Sequence, residues 1–126
     1  MDKRIINTKD APAPIGPYNQ AIFSGHTLYV SGQIAIDPTS GDMVTANIDA
    51  ETHQVMKNLG NILHAAGLNY EHVVKCTIFV NDMNNFSKVN EAYGSYFKQD
   101  PPARETVEVS ALPKGVNVEI SCIAVN

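Results

Sequence analysis

The chain has little arginine. Of its 126 residues only Arg4 and Arg104 carry a guanidinium, and acidic residues outnumber basic ones for a net charge of −4. A nucleic-acid binder needs a basic surface to displace phosphate counterions, so that class is disfavoured. Cysteine is scarce too. Cys76 and Cys122 are the only two; both fall in apolar, strand-like runs and read as reduced, buried thiols of a cytosolic protein rather than as a disulfide. No apolar run is long enough to span a bilayer. The polar and then proline-rich start lacks the apolar stretch of a signal peptide, so a cytoplasmic location is expected. The histidines show no metal-ligand spacing: His53 and His64 sit about three turns apart on a wet helix face, and His26 and His72 stand alone. Internal repeats, linkers and low-complexity segments are missing. What remains, 44% hydrophobic and 17% charged, suits one globular domain over residues 1–126 with one sizeable core.

The end of the chain is the most informative stretch. From Pro101-Pro102-Ala103-Arg104 to Val125 it reads as strand, tight turn, strand. Val107 and Val109 alternate with Thr106 and Glu108, the period-2 pattern of a half-buried strand. Pro113 and Gly115 supply turn chemistry. Beyond them Val116, Val118, Ile120, Cys122 and Ala124 share one face, and Asn117, Glu119, Ser121, Ile123 and Val125 the other. Two charges stand out here. Arg104 is the only arginine past the N-terminal leader, and Glu119 lies inside an apolar strand. Charged groups are rarely buried without a partner. The two are therefore either solvated or ion-paired for structure, or else a carboxylate-binding arginine with an acid/base glutamate nearby.

The rest of the chain supplies the other elements. Residues 1–14 read as an irregular leader, stiffened by Pro12 and Pro14. Gly16 and Pro17 bend the chain and fix the angle at which Tyr18 is presented. Ala21–Phe23 and Thr27–Val30 form a hairpin around Ser24-Gly25. Ser31-Gly32-Gln33 ends its second strand, where a glycine marks a bulge or a close backbone approach. Asp37 to Asp42 is a turn cluster. Asn47–Ala66 is a helix with Val55, Leu59, Ile62, Leu63 and Ala66 as its apolar stripe. Asn47 or Asp49 caps its start and Gly67 its end, while Glu51, Gln54, Lys57, Asn58 and Asn61 make its wet face. Val73–Val80 is a strand. A second helix spans about Asn85–Phe97, with Phe86, Val89, Tyr93 and Phe97 on its core side, and has ended before Asp100-Pro101.

The order β-β-α-β-α-β-β, with a single apolar stripe on each helix, predicts an α+β fold: a mixed sheet with both helices packed on one face. The other face stays bare, with Tyr29, Ile123 and Val125 contributing apolar surface. Such a face marks an interface, so a homo-oligomer is expected.

Four motifs, Gly16-Pro17-Tyr18-x-Gln20-Ala21, Ser31-Gly32-Gln33, Val89-Asn90-x-x-Tyr93 and Pro102-Ala103-Arg104, are followed by Leu112-Pro113-x-Gly115-x-x-x-Glu119-Ile120. Together and in this order they resemble the Rid family of reactive-intermediate deaminases, also called YjgF-type proteins, over essentially the whole chain. The resemblance implies a chorismate-mutase-like fold, a homotrimer whose sheets line a central barrel, and active sites in the clefts between subunits. It also implies hydrolysis of 2-imino acids such as 2-iminopropanoate and 2-iminobutanoate to 2-keto acids and ammonia, with no metal or cofactor and with a small-molecule substrate as the only partner besides the chain itself. Arg104 matches the residue that holds the substrate carboxylate, and Glu119 the one that positions water and shuttles a proton. Tyr18, Gly32 through its backbone, and Asn90 match pocket residues. Thr106 stands in the pocket where many members carry cysteine, so thiol chemistry is not expected there.

With a turn centred on Pro113-Lys114, Arg104 and Glu119 are expected on the same sheet face, roughly 13 Å apart along the ladder. Two other functions compete with the deaminase. One is a carboxylate-binding or regulatory trimer without turnover, and the other is the ribonuclease or translation-inhibitor role attached to this family, which the net charge opposes.

Overall fold

Eight regular elements follow one another in the computed structural model, which describes residues 2–126. They are β1 (Lys3–Ile6), β2 (Ala21–Ser24), β3 (Thr27–Gln33), α1 (Ile48–Ala65), β4 (Val73–Val80), α2 (Phe86–Gly94), β5 (Ala103–Glu108) and β6 (Val118–Val125). The six strands form one sheet in the order β1-β2-β3-β6-β4-β5. Only β4 and β5 run parallel; every other pair is antiparallel. The α+β class holds, with one mixed sheet and two helices.

The leader contains one strand more than its sequence suggested. Lys3-Arg4-Ile5-Ile6 pairs with β2 at the sheet edge. The Arg4 guanidinium lies 4.6 Å from the centre of the Phe23 ring, so its charge covers an apolar edge while remaining in water. Between β1 and β2 the chain is held by Gln20, which is buried. Its amide donates to the carbonyls of Thr8, Ala11 and Pro12 at 3.0, 3.2 and 2.9 Å, and its oxygen accepts from the Thr8 N–H. One side chain thus satisfies four backbone groups of an irregular segment.

Helix α1 begins where Asn47 accepts a hydrogen bond from the Ala50 N–H at 2.8 Å, a side-chain cap. It stops before Gly67, whose φ of 79° an L-residue resists. Val55, Leu59, Ile62 and Leu63 enter the core as expected. Its wet face is narrower than expected: Glu51 and Asn58 are fully buried. Both are inside because loop and strand backbone needs them. The Asn58 amide donates to the carbonyls of Ile34 and Ile36. Glu51 accepts from the backbone N–H groups of Asn117 and Val118 and from the Asn117 side chain, at 2.7, 3.1 and 2.8 Å. His53 is not a free surface residue either; its Nδ1 is 2.8 Å from the Tyr96 hydroxyl.

Helix α2 ends at Gly94, and the chain continues to Phe97 in tight turns. Val89, Ala92 and Tyr93 are buried, but Phe86, expected in the core, is 37% exposed.

The largest correction concerns the last two strands. They are not a hairpin: β4 lies between them, parallel to β5 and antiparallel to β6. The turn at Pro113–Gly115 carries the chain past β4, with Lys114 and Gly115 at φ 56° and 69°. In β5 it is Thr106 that turns towards the helices, level with Ile78, and Val107 that faces outward, 41% exposed. The β6 alternation is as read, with Val116, Val118, Ile120, Cys122 and Ala124 all buried.

Cys76, Ile78 and Val80 of β4 join Val118, Ile120 and Cys122 of β6 against Val55, Leu59 and Ile62 of α1 and Val89 and Tyr93 of α2 in a single core. Both helices therefore cover the same face of the sheet. The other face is uncovered: Tyr29 and Val125 are 51% and 39% exposed. On it the Lys75 ammonium pairs with Glu105 at 3.1 Å, and Thr77 Oγ1 donates to the same carboxylate at 2.6 Å.

Candidate functional site

The six residues singled out by the sequence fall into two clusters on opposite faces of the sheet. Arg104 lies level with Cys76 on β4, and Glu119 lies level with Phe79. Cys76 and Phe79 are an odd number of residues apart, so their side chains point to opposite sides. The expected common face for Arg104 and Glu119 is overturned, because it assumed that β5 and β6 were neighbours. Within one chain the two side chains cannot reach one small molecule.

The first cluster surrounds Arg104, on the helix side near the free edge of β5. Its Cζ lies 5.1 Å from the centre of the Tyr93 ring and 5.7 Å from that of Phe86. No carboxylate approaches Arg104 within ion-pair distance among the described residues, where the ion pairs are His53–Asp49 and Lys75–Glu105. Helical spacing puts Phe86, Asn90 and Tyr93 on one stripe of α2. Thr106 follows Arg104 on the same face, and its buried Oγ1 has no hydrogen-bond partner. The buried hydroxyl of Tyr93 likewise lacks a good partner. Its polar neighbour is the Cys76 thiol, and burial pushes the pKa of each group up. The positive charge of Arg104 pulls both back, by less than burial raises them.

The sequence places Phe86 and Tyr93 on the core side of α2, which holds for Tyr93, but gives neither a place beside the guanidinium. Both were visible as an i, i+7 aromatic pair on the α2 stripe, but that spacing alone reads as core.

The second cluster surrounds Glu119 on the uncovered face. Its carboxyl group lies against the backbone of Gly32, where the sheet register shifts between Val30 and Gln33. A Cβ at position 32 would stand 2.9 Å from Glu119 Cδ and Oε2, closer than carbon and oxygen pack. The glycine is there for a close approach, and the group that approaches is the Glu119 carboxyl. Half-buried, that carboxyl is pushed above its ordinary pKa by loss of hydration. It forms no hydrogen bond or ion pair among the described residues, so its lone pairs are free. Tyr18 is 46% exposed, with its hydroxyl accepting from the Ile15 N–H at 3.2 Å. It shares a small pocket of about 30 Å³ with Gly32, Ile15 and Gln33. Gln20, which anchors the leader, also lines this pocket and so fixes the loop that presents Tyr18.

A much larger open groove of about 780 Å³, lined by the leader, Asp37 and Lys114, holds none of the six residues. Among the described residues no three His, Cys, Asp or Glu side chains gather closely enough to hold a metal ion. No helix among them is long and apolar enough to cross a membrane.

Residues 8–126 match the sequence profile of a family described as endoribonuclease L-PSP, the YjgF/Rid family. The chain belongs to the Rid family. A human relative, 47% identical over 98% of this chain and 90% of its own, is named 2-iminobutanoate/2-iminopropanoate deaminase. The solved structure of YyfA from Yersinia pestis, a conserved Rid-family protein, superposes with a TM-score of 0.96 at 52% identity, covering 99% of this chain and 100% of its own. E. coli TdcF, solved with bound serine, superposes with a TM-score of 0.94 at 37% identity over 98% of both chains.

Proposed function

We propose that this Rid-family protein hydrolyses 2-imino acids, such as 2-iminopropanoate and 2-iminobutanoate, to 2-keto acids and ammonia. The observation that carries the reading is Arg104: a half-buried guanidinium, seated on two aromatic rings, with no carboxylate of its own chain to neutralise it. A guanidinium fork matches a carboxylate with two parallel hydrogen bonds. The name of the human deaminase and the serine held by TdcF point the same way, since both concern small α-substituted carboxylic acids.

The reaction needs little more. Glu119 takes a proton from a water as the water oxygen bonds to the C=N carbon, and passes that proton to the nitrogen to give a carbinolamine. It then takes the hydroxyl proton of the carbinolamine and passes it to the nitrogen as the C–N bond breaks, leaving the keto acid, ammonia and the carboxylate as it began. A carboxylate whose pKa is raised by burial is a better base than one in water, and one such group serves both steps in turn. Asn90 and Thr106 border the carboxylate end of the site, and Tyr18 and the Gly32 backbone border the water end. Threonine at 106 leaves that position without a thiol to oxidise, and the neighbouring Cys76 thiol is buried.

Because Arg104 and Glu119 point to opposite faces of one sheet, they act together only when contributed by two copies of the chain. A homotrimer that buries the exposed sheet faces around a central barrel supplies that arrangement, with a site in each cleft between subunits. The test is ammonia release when a serine or threonine dehydratase generates the imine in place. Release no faster than in buffer leaves the alternative of a carboxylate-binding, regulatory trimer. The endoribonuclease description attached to the family is the second reading. A net charge of −4 opposes it, and RNA cleavage that survived Arg104→Ala and further purification would support it.

A further inference from the structure

We infer that Phe86 and Tyr93 are positioning residues: two rings on one stripe of α2 that hold the Arg104 guanidinium in place for an incoming carboxylate. The inference rests on the reading of Arg104 as the carboxylate grip and adds the device that makes the grip effective. An arginine without a carboxylate partner ordinarily wanders, since its long stem has many rotamers. Here Cζ stands 5.1 Å from one ring centre and 5.7 Å from the other, both within cation–π range. The rings differ in environment. Tyr93 is 4% exposed, packed in the core and 4.9 Å from the Phe97 ring centre, so it is a fixed floor. Phe86 is 37% exposed at the start of α2, and nothing in the core explains an aromatic there. Ring faces attract the cation without occupying its N–H donors. The guanidinium is therefore ordered yet keeps its hydrogen-bonding edge unspent, which a structural carboxylate partner would not allow. Ordering Arg104 beforehand lowers the entropy cost of binding.

The experiment is calorimetric binding of pyruvate, a keto-acid product with the same carboxylate, to the intact protein and its variants. Phe86→Leu is apolar and of similar volume at a partly exposed position, so it folds; a thermal melt verifies this. Loss of one cation–π contact is expected to weaken pyruvate binding about 3- to 30-fold. In turnover the loss should fall mainly on KM, because the ring touches neither the water nor the C=N bond. The aromatic replacements Phe86→Tyr and Tyr93→Phe keep a ring and should retain binding close to that of the unaltered protein. If Phe86→Leu binds pyruvate as tightly as the unaltered protein while Arg104→Ala loses it, the cradle is wrong and the carboxylate grip stands. Phe86→Tyr binding as weakly as Phe86→Leu also overturns the cradle, since shape rather than the ring face would then matter. Arg104→Ala binding like the unaltered protein removes the grip itself, and the cradle with it.

Discussion

At the scale of single residues Glu119 is a carboxyl held against the backbone of Gly32 without a hydrogen-bond partner among the described residues. Its carboxyl is raised by desolvation, and that has two consequences of opposite sign. For catalysis the group must be ionised, so activity should fall on the acid side at a pH above the range of an ordinary glutamate, and a pH–rate profile reads this directly. For stability, the folded protein holds this proton more tightly than the unfolded chain. Between the ordinary and the raised value the contribution of Glu119 to stability is present at low pH and is lost as pH rises. Glu119→Gln should therefore melt no lower than the unaltered protein at neutral pH, while turnover drops about 10²–10⁴-fold. Gly32→Ala is its companion. The added methyl meets the flexible end of Glu119 at 2.9 Å rather than backbone, so the carboxyl moves and the fold stays. Displacing a base by about 1 Å costs on the order of 10²-fold in kcat, and a thermal melt should show little change. If Gly32→Ala is instead fully active, the carboxyl position is not critical.

At the scale of elements, β6 is set in place by α1. Glu51 receives three hydrogen bonds from Asn117 and Val118, just before the strand delivers Glu119. Glu51→Ala leaves two backbone N–H groups without an acceptor and should cost about 2–4 kcal/mol in urea unfolding. Glu51→Gln, which keeps an acceptor oxygen for the backbone, should cost less. Little of this was legible in the sequence. A glutamate one turn into an amphipathic helix reads as wet, and only the strand it serves, 66 residues away, explains its burial. The strands show the same division. Alternation in β6 marked its buried face correctly because that pattern is local. The partner of β5 is a choice among strands, and nothing in residues 103–125 encodes that β4 slips between β5 and β6. For the same reason Arg104 and Glu119 were recognisable as residues, while their arrangement was not. Strand β1 was missed because two basic residues on a four-residue edge look like a solvated leader.

At the scale of the whole molecule, one chain carries the Arg104 and Glu119 clusters on opposite faces and a sheet with Tyr29, Val107 and Val125 uncovered. A bare apolar sheet face calls for a partner, and the proposed joint action of the two clusters calls for that partner to be a second copy in a closed ring. Sedimentation equilibrium at micromolar concentration should give three times the 13.7 kDa of the chain; a clean monomer would remove the shared site. The most direct test mixes two inactive variants. Arg104→Ala subunits retain Glu119, and Glu119→Gln subunits retain Arg104. Each alone should release almost no ammonia from the imine. Dissociated together and reassembled in equal amounts, they should regain about one quarter of the unaltered activity, the fraction of clefts in a three-membered ring that receive an intact residue from each side. If verified mixed trimers are no more active than the better parent, Arg104 and Glu119 do not meet between subunits, and the account is contradicted at its centre.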